Sequence, residues 1–192
     1  NKISQERFSL YSYIETALEQ YEKMEEESDK TSMICAILEA IGNARVERWY
    51  DVIKTQLNSK NRQVVKVAIT SAANTLDEQF IDLIIPHLSE KDTRKTAIEA
   101  LLFYNIPIID IIYDKIKAEQ VKLEDAIFCV TVIEKFASQK AVDTLIQLTN
   151  ETEHAVKIEA IEALKRLKWA YPILKINDRF IVDKILDECH LY

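Results

Sequence analysis

A five-residue segment that occurs twice, letter for letter, constrains the fold of this chain more than any other feature. Residues 97–101 and residues 160–164 both read AIEAL. Weaker copies in the same register begin at residues 37, 69 and 126. The five lead residues, 37, 69, 97, 126 and 160, are therefore separated by 32, 28, 29 and 34 residues. A period near thirty residues, with helical spacing inside each unit, is typical of a solenoid of stacked helical hairpins.

The fourth position of each segment carries a small residue, and the fifth carries an apolar one. The small residues are Ala40, Ala72, Ala100, Cys129 and Ala163. Small residues let neighbouring helices approach closely, and one hairpin cannot bury both of its faces without neighbours. We therefore predict an all-α fold, an α-α superhelix of about five helical hairpins followed by a C-terminal capping helix.

Apolar periodicity and turn residues place the unit boundaries within a single repeat domain, residues 1–192. The predicted hairpins are residues 1–43, 46–74, 76–104, 106–136 and 139–167, and the capping helix is 177–192, after a break at 168–176. Because the chain begins with Asn rather than Met, we expect it to be a piece of a longer protein.

Four residues are expected to shape helix ends and bends. Gly42 is expected at a helix C-cap. Asp92 and Thr152 are expected to cap the helices that follow them, since short polar side chains accept hydrogen bonds from free N–H groups. Pro86 lies inside an apolar helical segment and should bend it, because proline lacks the backbone donor.

Composition excludes several classes of function. One glycine cannot build a Gly-rich phosphate loop, and a net charge of −7 disfavours binding to nucleic acid. No run approaches the ~18 apolar residues of a membrane span, and we expect no signal peptide. Three distant cysteines without a CxxC motif favour reduced thiols and a cytoplasmic location. We predict no cofactor, no metal, no nucleic-acid partner and no direct membrane insertion of this segment.

Residues 81–102, IDLIIPHLSEKDTRKTAIEALL, resemble the HEAT-repeat family. The shared features are an apolar first helix with an internal proline (Pro86), a turn Asp (Asp92) and a basic residue (Arg94) before the alanines. The resemblance covers about residues 31–167, and it implies an α-solenoid with an Asp–Arg ladder between units. The residues that depart from this pattern are Ile34, Leu123 and Asn150, so the ladder is expected to be partial.

Residues 141–192 are similar to the C-terminal HEAT regions attached to some bacterial membrane proteins of the ATP/ADP translocase (nucleotide transporter) type. The shared features are the last repeat, the Leu-x-x-Leu-Lys exit at residues 164–168, an isolated proline, and a closing helix with Glu188 and Tyr192. This resemblance implies a soluble C-terminal domain at the cytoplasmic face of the inner membrane, without transport activity of its own.

The third position of each segment is expected to face away from the packed small residues. It carries Glu39, Ser71, Glu99, Phe128 and Glu162. The second helices of successive hairpins line the concave surface of a solenoid, so this row would form an acidic groove with one aromatic anchor. The row predicts a non-enzymatic protein-interaction or scaffold domain whose partner is a protein or another domain of the same chain. The alternative interpretation of the row is an ordinary solvated face.

An enzyme, or an enzyme subunit, on the same scaffold is the alternative function. HEAT-like folds include phycobilin lyase-type proteins and alkylpurine DNA glycosylases. The glycosylase activity would require a basic concave face, whereas this row is acidic; the lyase alternative stays open, although no residue supports it directly. Glu99 and Glu162 occupy positions about two units apart, too far to act on one bond, and we predict no catalytic residue.

Overall fold

The described part of the chain consists of helices joined by short turns. The computed structural model describes residues 2–151 and 153–189, which contain eleven α-helices and no strand. The predicted all-α class is confirmed for these residues. The predicted cap Thr152 and the end of the predicted capping helix, residues 190–192, lie outside them. The chain divides into two compact units, one comprising residues up to 84 together with 91–103, the other comprising 85–90 and the residues from 104 onward.

The first unit is built around three helices that contact one another in chain order. Its helices are α1 (Lys2–Lys23), α2 (Glu27–Ala44), α3 (Tyr50–Gln56), α4 (Arg62–Thr75), α5 (Ile81–Ile84) and α6 (Arg94–Leu102), with 3₁₀ turns at Glu47–Trp49 and Glu78–Phe80. Helix α2 packs on α4, and α4 packs on α6. The core includes Ile41, Ile69 and Leu101, all fully buried, and Phe80, whose ring lies edge-on to Tyr50 at 5.1 Å between centroids. Apolar repeat positions and aromatic packing thus form one core.

The second unit has a similar arrangement of alternating helices. It contains a 3₁₀ turn at Ile85–His87 and helices α7 (Pro107–Lys117), α8 (Leu123–Lys135), α9 (Gln139–Glu151), α10 (His154–Ala170) and α11 (Asp178–Cys189). Helix α8 packs on α10, α7 packs on α9, and α11 packs on α10. Helix α10 continues to Ala170, so the break that was predicted from residue 168 begins at Tyr171 instead.

The backbone bears on two of these predictions, the bend at Pro86 and the cap at Asp92. Helix α5 ends at Ile84 and gives way to 3₁₀ geometry around Pro86, in line with the missing donor of proline. The prediction that Asp92 caps the next helix is wrong, because α6 begins at Arg94 with Thr93 at the N-cap. The Asp92 carboxylate instead lies 4.0 Å from Nε of Arg62, at the start of α4.

Gly42 has a different role from the predicted C-cap. It lies inside α2, and the cap of that helix is Arg45, a non-glycine residue with φ 53°. A Cβ added to Gly42 would lie 2.5 Å from the carbonyl oxygen of Ser71 and 2.7 Å from its Cα. Gly42 therefore marks a place where the backbones of α2 and α4 approach closely, and any side chain there would meet backbone atoms.

Left-handed turns without glycine follow the second helices α2, α4, α6 and α8. The positive-φ residues in these turns are Arg45, Leu76, Asn105 and Ala137, at intervals of 31, 29 and 32 residues. A left-handed residue ends a helix by letting the chain reverse, and glycine is the residue that adopts it at least cost. The spacing of these turns matches the sequence period, although the four residues share no type that would predict a left-handed conformation.

Replacing Ala137 by glycine should stabilise the second unit by about 0.5–1 kcal/mol, because φ at this residue is 44° and a Cβ is unfavourable there. The opposite result is expected for Ala36→Gly, an exposed position inside α2, which should cost about 1 kcal/mol of helix propensity. Thermal unfolding followed by circular dichroism measures both. Destabilisation by both glycines would contradict the left-handed assignment of Ala137.

Candidate interaction surfaces

The predicted row is divided in the first unit, where it has two exposed members and one buried member. Glu39 on α2 and Glu99 on α6 are exposed. Ser71 on α4 is only 1% exposed, and its backbone lies against Gly42. The predicted surface position of Ser71 is therefore wrong: the close contact between α2 and α4 turns this residue inward. The exposed position on α4 is taken by its neighbour Thr70.

The members of the row in the second unit are half-buried. Phe128 on α8 and Glu162 on α10 are both partly accessible. Glu162 accepts hydrogen bonds from Nζ of Lys165, one turn later in α10, at 2.8 and 3.0 Å. The charge of Glu162 is thus matched within its own helix, which weakens the acidic character that was predicted for this part of the row.

Basic residues also accompany the acidic members in the first unit. Nζ of Lys95 lies 3.9 Å from Oε1 of Glu99, one turn away in α6. Lys66 is exposed on α4, one turn before Thr70. The exposed face of α2, α4 and α6 therefore carries both signs of charge, whereas the repeat alignment alone predicted an acidic row.

A shallow apolar groove between α10 and α11 was missed by the sequence analysis. It is lined by Lys165, Lys168, Trp169, Pro172, Ile181 and Val182. Trp169 is 90% exposed and Val182 is 53% exposed, whereas Ile181 forms the buried floor at 7%. A large aromatic side chain this exposed beside an apolar depression makes the groove a candidate contact surface. The only sequence signal was Trp169 itself, next to a break in the repeat.

A charged cluster joins α8 and α10. The guanidinium of Arg166 donates to both carboxylate oxygens of Glu134, each at 2.8 Å, and to Glu159 at 2.7 Å. The hydrogen bonds to Glu134 raise the pKa of Arg166, so the cation persists at every accessible pH. Two-point geometry of this kind fixes the relative position of two helices.

The second unit also contains a buried thiol next to a buried carboxylate. Cys129 is completely buried on α8, and burial, with a contribution from Asp125, raises the pKa of its thiol. Asp125, one turn earlier, is 3% exposed, and its Oδ1 has no hydrogen-bond partner. A thiol that is neither accessible nor ionised is a poor nucleophile.

Cys35 should react with iodoacetamide in the folded protein, while Cys129 should react only after unfolding. Cys35 is partly accessible on α2, although burial and then Glu39 raise the pKa of its thiol and slow the reaction. Mass spectrometry of a Cys189→Ser variant, before and after adding urea, would measure both sites. Equal labelling of Cys35 and Cys129 in the native protein would contradict the burial of Cys129 on α8.

Within residues 2–151 and 153–189, no three or more His, Cys, Asp and Glu side chains converge so as to hold a metal ion. Over the same part of the chain, no helix combines the length and the hydrophobicity needed to cross a bilayer.

Comparison with known proteins gives no family for this chain: no protein-family model matches it, and no curated protein matches it. The HEAT-like assignment and the similarity to translocase-attached regions therefore stay predictions from the sequence.

Proposed function

We propose that this chain is a HEAT-like repeat domain that binds a protein segment and has no catalytic activity of its own. The observation that carries the proposal is that α2 packs on α4 and α4 packs on α6. The exposed residues Glu39, Thr70 and Glu99 lie on these three successive second helices. Stacked second helices of this kind form the binding surfaces of solenoid proteins.

Polar contacts between neighbouring helices support the repeat register. In the first unit, the side-chain amide of Asn61 donates to Thr31 at 3.0 Å, and that of Asn74 donates to Asn43 at 2.9 Å. The separations between these partners are 30 and 31 residues. The second unit has contacts of similar sequence separation, namely an ion pair between Lys140 of α9 and Asp110 of α7, and the pairing of Arg166 with Glu134 across 32 residues. Each contact joins one hairpin to the next, as a repeat array requires.

The size of the surface indicates the size of its ligand. Packed helices lie about 8–10 Å apart, so three successive helices span about 16–20 Å. An extended peptide covers that distance with about five or six residues. Exposed carboxylates (Glu39, Glu99) and exposed lysines (Lys66, Lys95) favour a segment with charges of both signs over a purely basic one.

The proposal is tested by photo-crosslinking in the source organism. A photoreactive phenylalanine analogue at Thr70 should give protein crosslinks, because this exposed position lies at the centre of the surface. The same analogue at Glu78, an exposed position in the 3₁₀ turn before α5, is the matched control.

Unlabelled wild-type protein should compete for the Thr70 crosslink, and a Glu39→Lys/Glu99→Lys variant should compete at least tenfold less well. Both glutamates are exposed, so the variant should keep its fold. Crosslinks at Thr70 that are no more frequent than those at Glu78, or equal competition by the variant, would reject this surface as a protein-binding site.

A further inference from the structure

Two asparagine side chains meet at one end of the proposed binding surface. Nδ2 of Asn74 on α4 donates to Oδ1 of Asn43 on α2 at 2.9 Å. Asn43 is exposed, and Asn74 is partly exposed. Asn43 lies four residues after Glu39, and Asn74 lies four residues after Thr70. Because residues four apart share one face of a helix, this amide pair extends the proposed surface by one helical turn.

The packing of α2 on α4 holds the amide pair in place. Gly42 directly precedes Asn43, and a Cβ there would lie 2.5 Å from the carbonyl oxygen of Ser71, so the two backbones approach closely beside the pair. Nε of Arg45 donates to the main-chain carbonyl of Asn74 at 3.2 Å, which ties the end of α4 to the turn after α2. The two amides are thus positioned before a ligand arrives, and this lowers the entropy cost of binding.

Most of the hydrogen-bonding capacity of the amide pair is unused within the described part of the chain. A side-chain amide has two N–H donors and one carbonyl acceptor. Among the described residues, the side chains of Asn43 and Asn74 make no hydrogen bond other than the one that joins them. Both N–H groups of Asn43, one N–H group of Asn74 and the side-chain oxygen of Asn74 therefore lie side by side with no partner in the described chain.

We propose that the amide pair binds the main chain of an extended segment of the partner protein. This inference rests on the proposed function and specifies how the surface holds its partner. A main-chain peptide unit has one N–H and one C=O, which match the free oxygen of Asn74 and the free N–H groups of Asn43. In a helical partner these main-chain groups would be paired internally, so an extended segment is the ligand that can offer them.

The amide pair and the exposed charges then have different roles in binding. Hydrogen bonds to the main chain of a ligand contribute affinity but carry no information about its side chains. Exposed charges such as Glu39 and Glu99 select the side chains of the ligand. Removal of the amide pair should therefore weaken all ligands of this surface alike, whereas a change of charge should alter which ligands bind.

The probes are short peptides selected from a random library on the wild-type chain and counter-selected on Glu39→Lys/Glu99→Lys, so that ligands of this surface are retained. One main-chain amide at a time is then replaced by an ester, which removes a single N–H donor. The ester at the residue that contacts Asn74 should weaken binding about fivefold, the effect of one hydrogen bond. Esters at its two neighbours should have no effect, because adjacent N–H groups of an extended segment point in opposite directions.

Asn43→Leu/Asn74→Leu removes both amides and keeps their approximate shape. Thermal unfolding should stay close to wild type, because both partners of the hydrogen bond are replaced by apolar groups of similar size. All selected peptides should bind this variant about tenfold less well, and the sensitive ester should no longer weaken binding. Asn58→Leu, at an exposed position in the turn after α3, is the matched control and should bind the peptides as wild type does.

Three results would overturn the inference. Peptide binding that is insensitive to every ester, or that is unchanged in Asn43→Leu/Asn74→Leu, would show that the surface holds its ligands through their side chains alone and would leave the proposed function intact. A library that yields no peptide dependent on Glu39 and Glu99 would overturn the inference as well. The crosslinking at Thr70 decides the proposed function separately, so the two can fail independently.

Discussion

Replacing Gly42 by alanine should lower the free energy of unfolding of the first unit by about 2–3 kcal/mol. In an ordinary helix this substitution would stabilise by about 1 kcal/mol, since alanine is the better helix former. Here the new Cβ would lie 2.5 Å from the carbonyl oxygen of Ser71, 2.7 Å from its Cα and 2.9 Å from its Cβ. Backbone atoms of a packed helix cannot rotate away, so α2 and α4 must separate along their contact.

Urea unfolding in a Trp169→Phe background, followed by circular dichroism and by the fluorescence of Trp49, would measure the effect. The matched control is Glu39→Ala, an exposed position on the same helix, which should change the free energy of unfolding by no more than about 0.5 kcal/mol. If Gly42→Ala is as stable as wild type, the two backbones do not approach as closely as described, and the packing of α2 on α4 needs a different account.

Replacing Arg166 by methionine should cost the second unit about 1–2 kcal/mol. The guanidinium makes three charge-assisted hydrogen bonds to Glu134 and Glu159, and the methionine chain keeps most of its apolar volume. The side chain of Arg166 is 47% exposed, so solvent screening keeps the effect below that of a buried pair. Glu134 is only 17% exposed, and the loss of its partner leaves a largely buried carboxylate uncompensated.

A double-mutant cycle with Glu134→Gln would isolate the contact between α8 and α10. Lys165→Met is the matched control, since Lys165 pairs with Glu162 inside α10 at 2.8 Å and such pairs contribute about 0.2–0.5 kcal/mol. The coupling of Arg166 with Glu134 should exceed this value and should fall with added salt. Equal effects of the two substitutions would show that the cluster does not join the helices.

The interior positions of the repeat were predictable because they follow from periodicity alone. The lead residues Ile37, Ile69, Ala97, Ala126 and Ala160 are all buried, as are the fifth-position residues Ile41, Ala73, Leu101, Val130 and Leu164. A helix with 3.6 residues per turn must place residues four apart on one face, so an apolar pair at this spacing identifies the inward side.

The surface was less predictable, because it depends on how each helix is rotated against its neighbour. Ser71 occupies the same alignment position as Glu39 and Glu99, yet it is buried, and Thr70 takes the exposed position. The groove beside Trp169 depends on where α11 returns against α10, which no local pattern records.

The sequence by itself determined that this chain is helical and where its helices turn their apolar sides, since local periodicity and scarce chain-breakers decide both. Only the tertiary structure decided the role of Gly42, the left-handed turns at Arg45, Leu76, Asn105 and Ala137, and the exposure of Trp169. These features depend on how each helix approaches and rotates against its neighbours, and the residue pattern of a single helix does not record that.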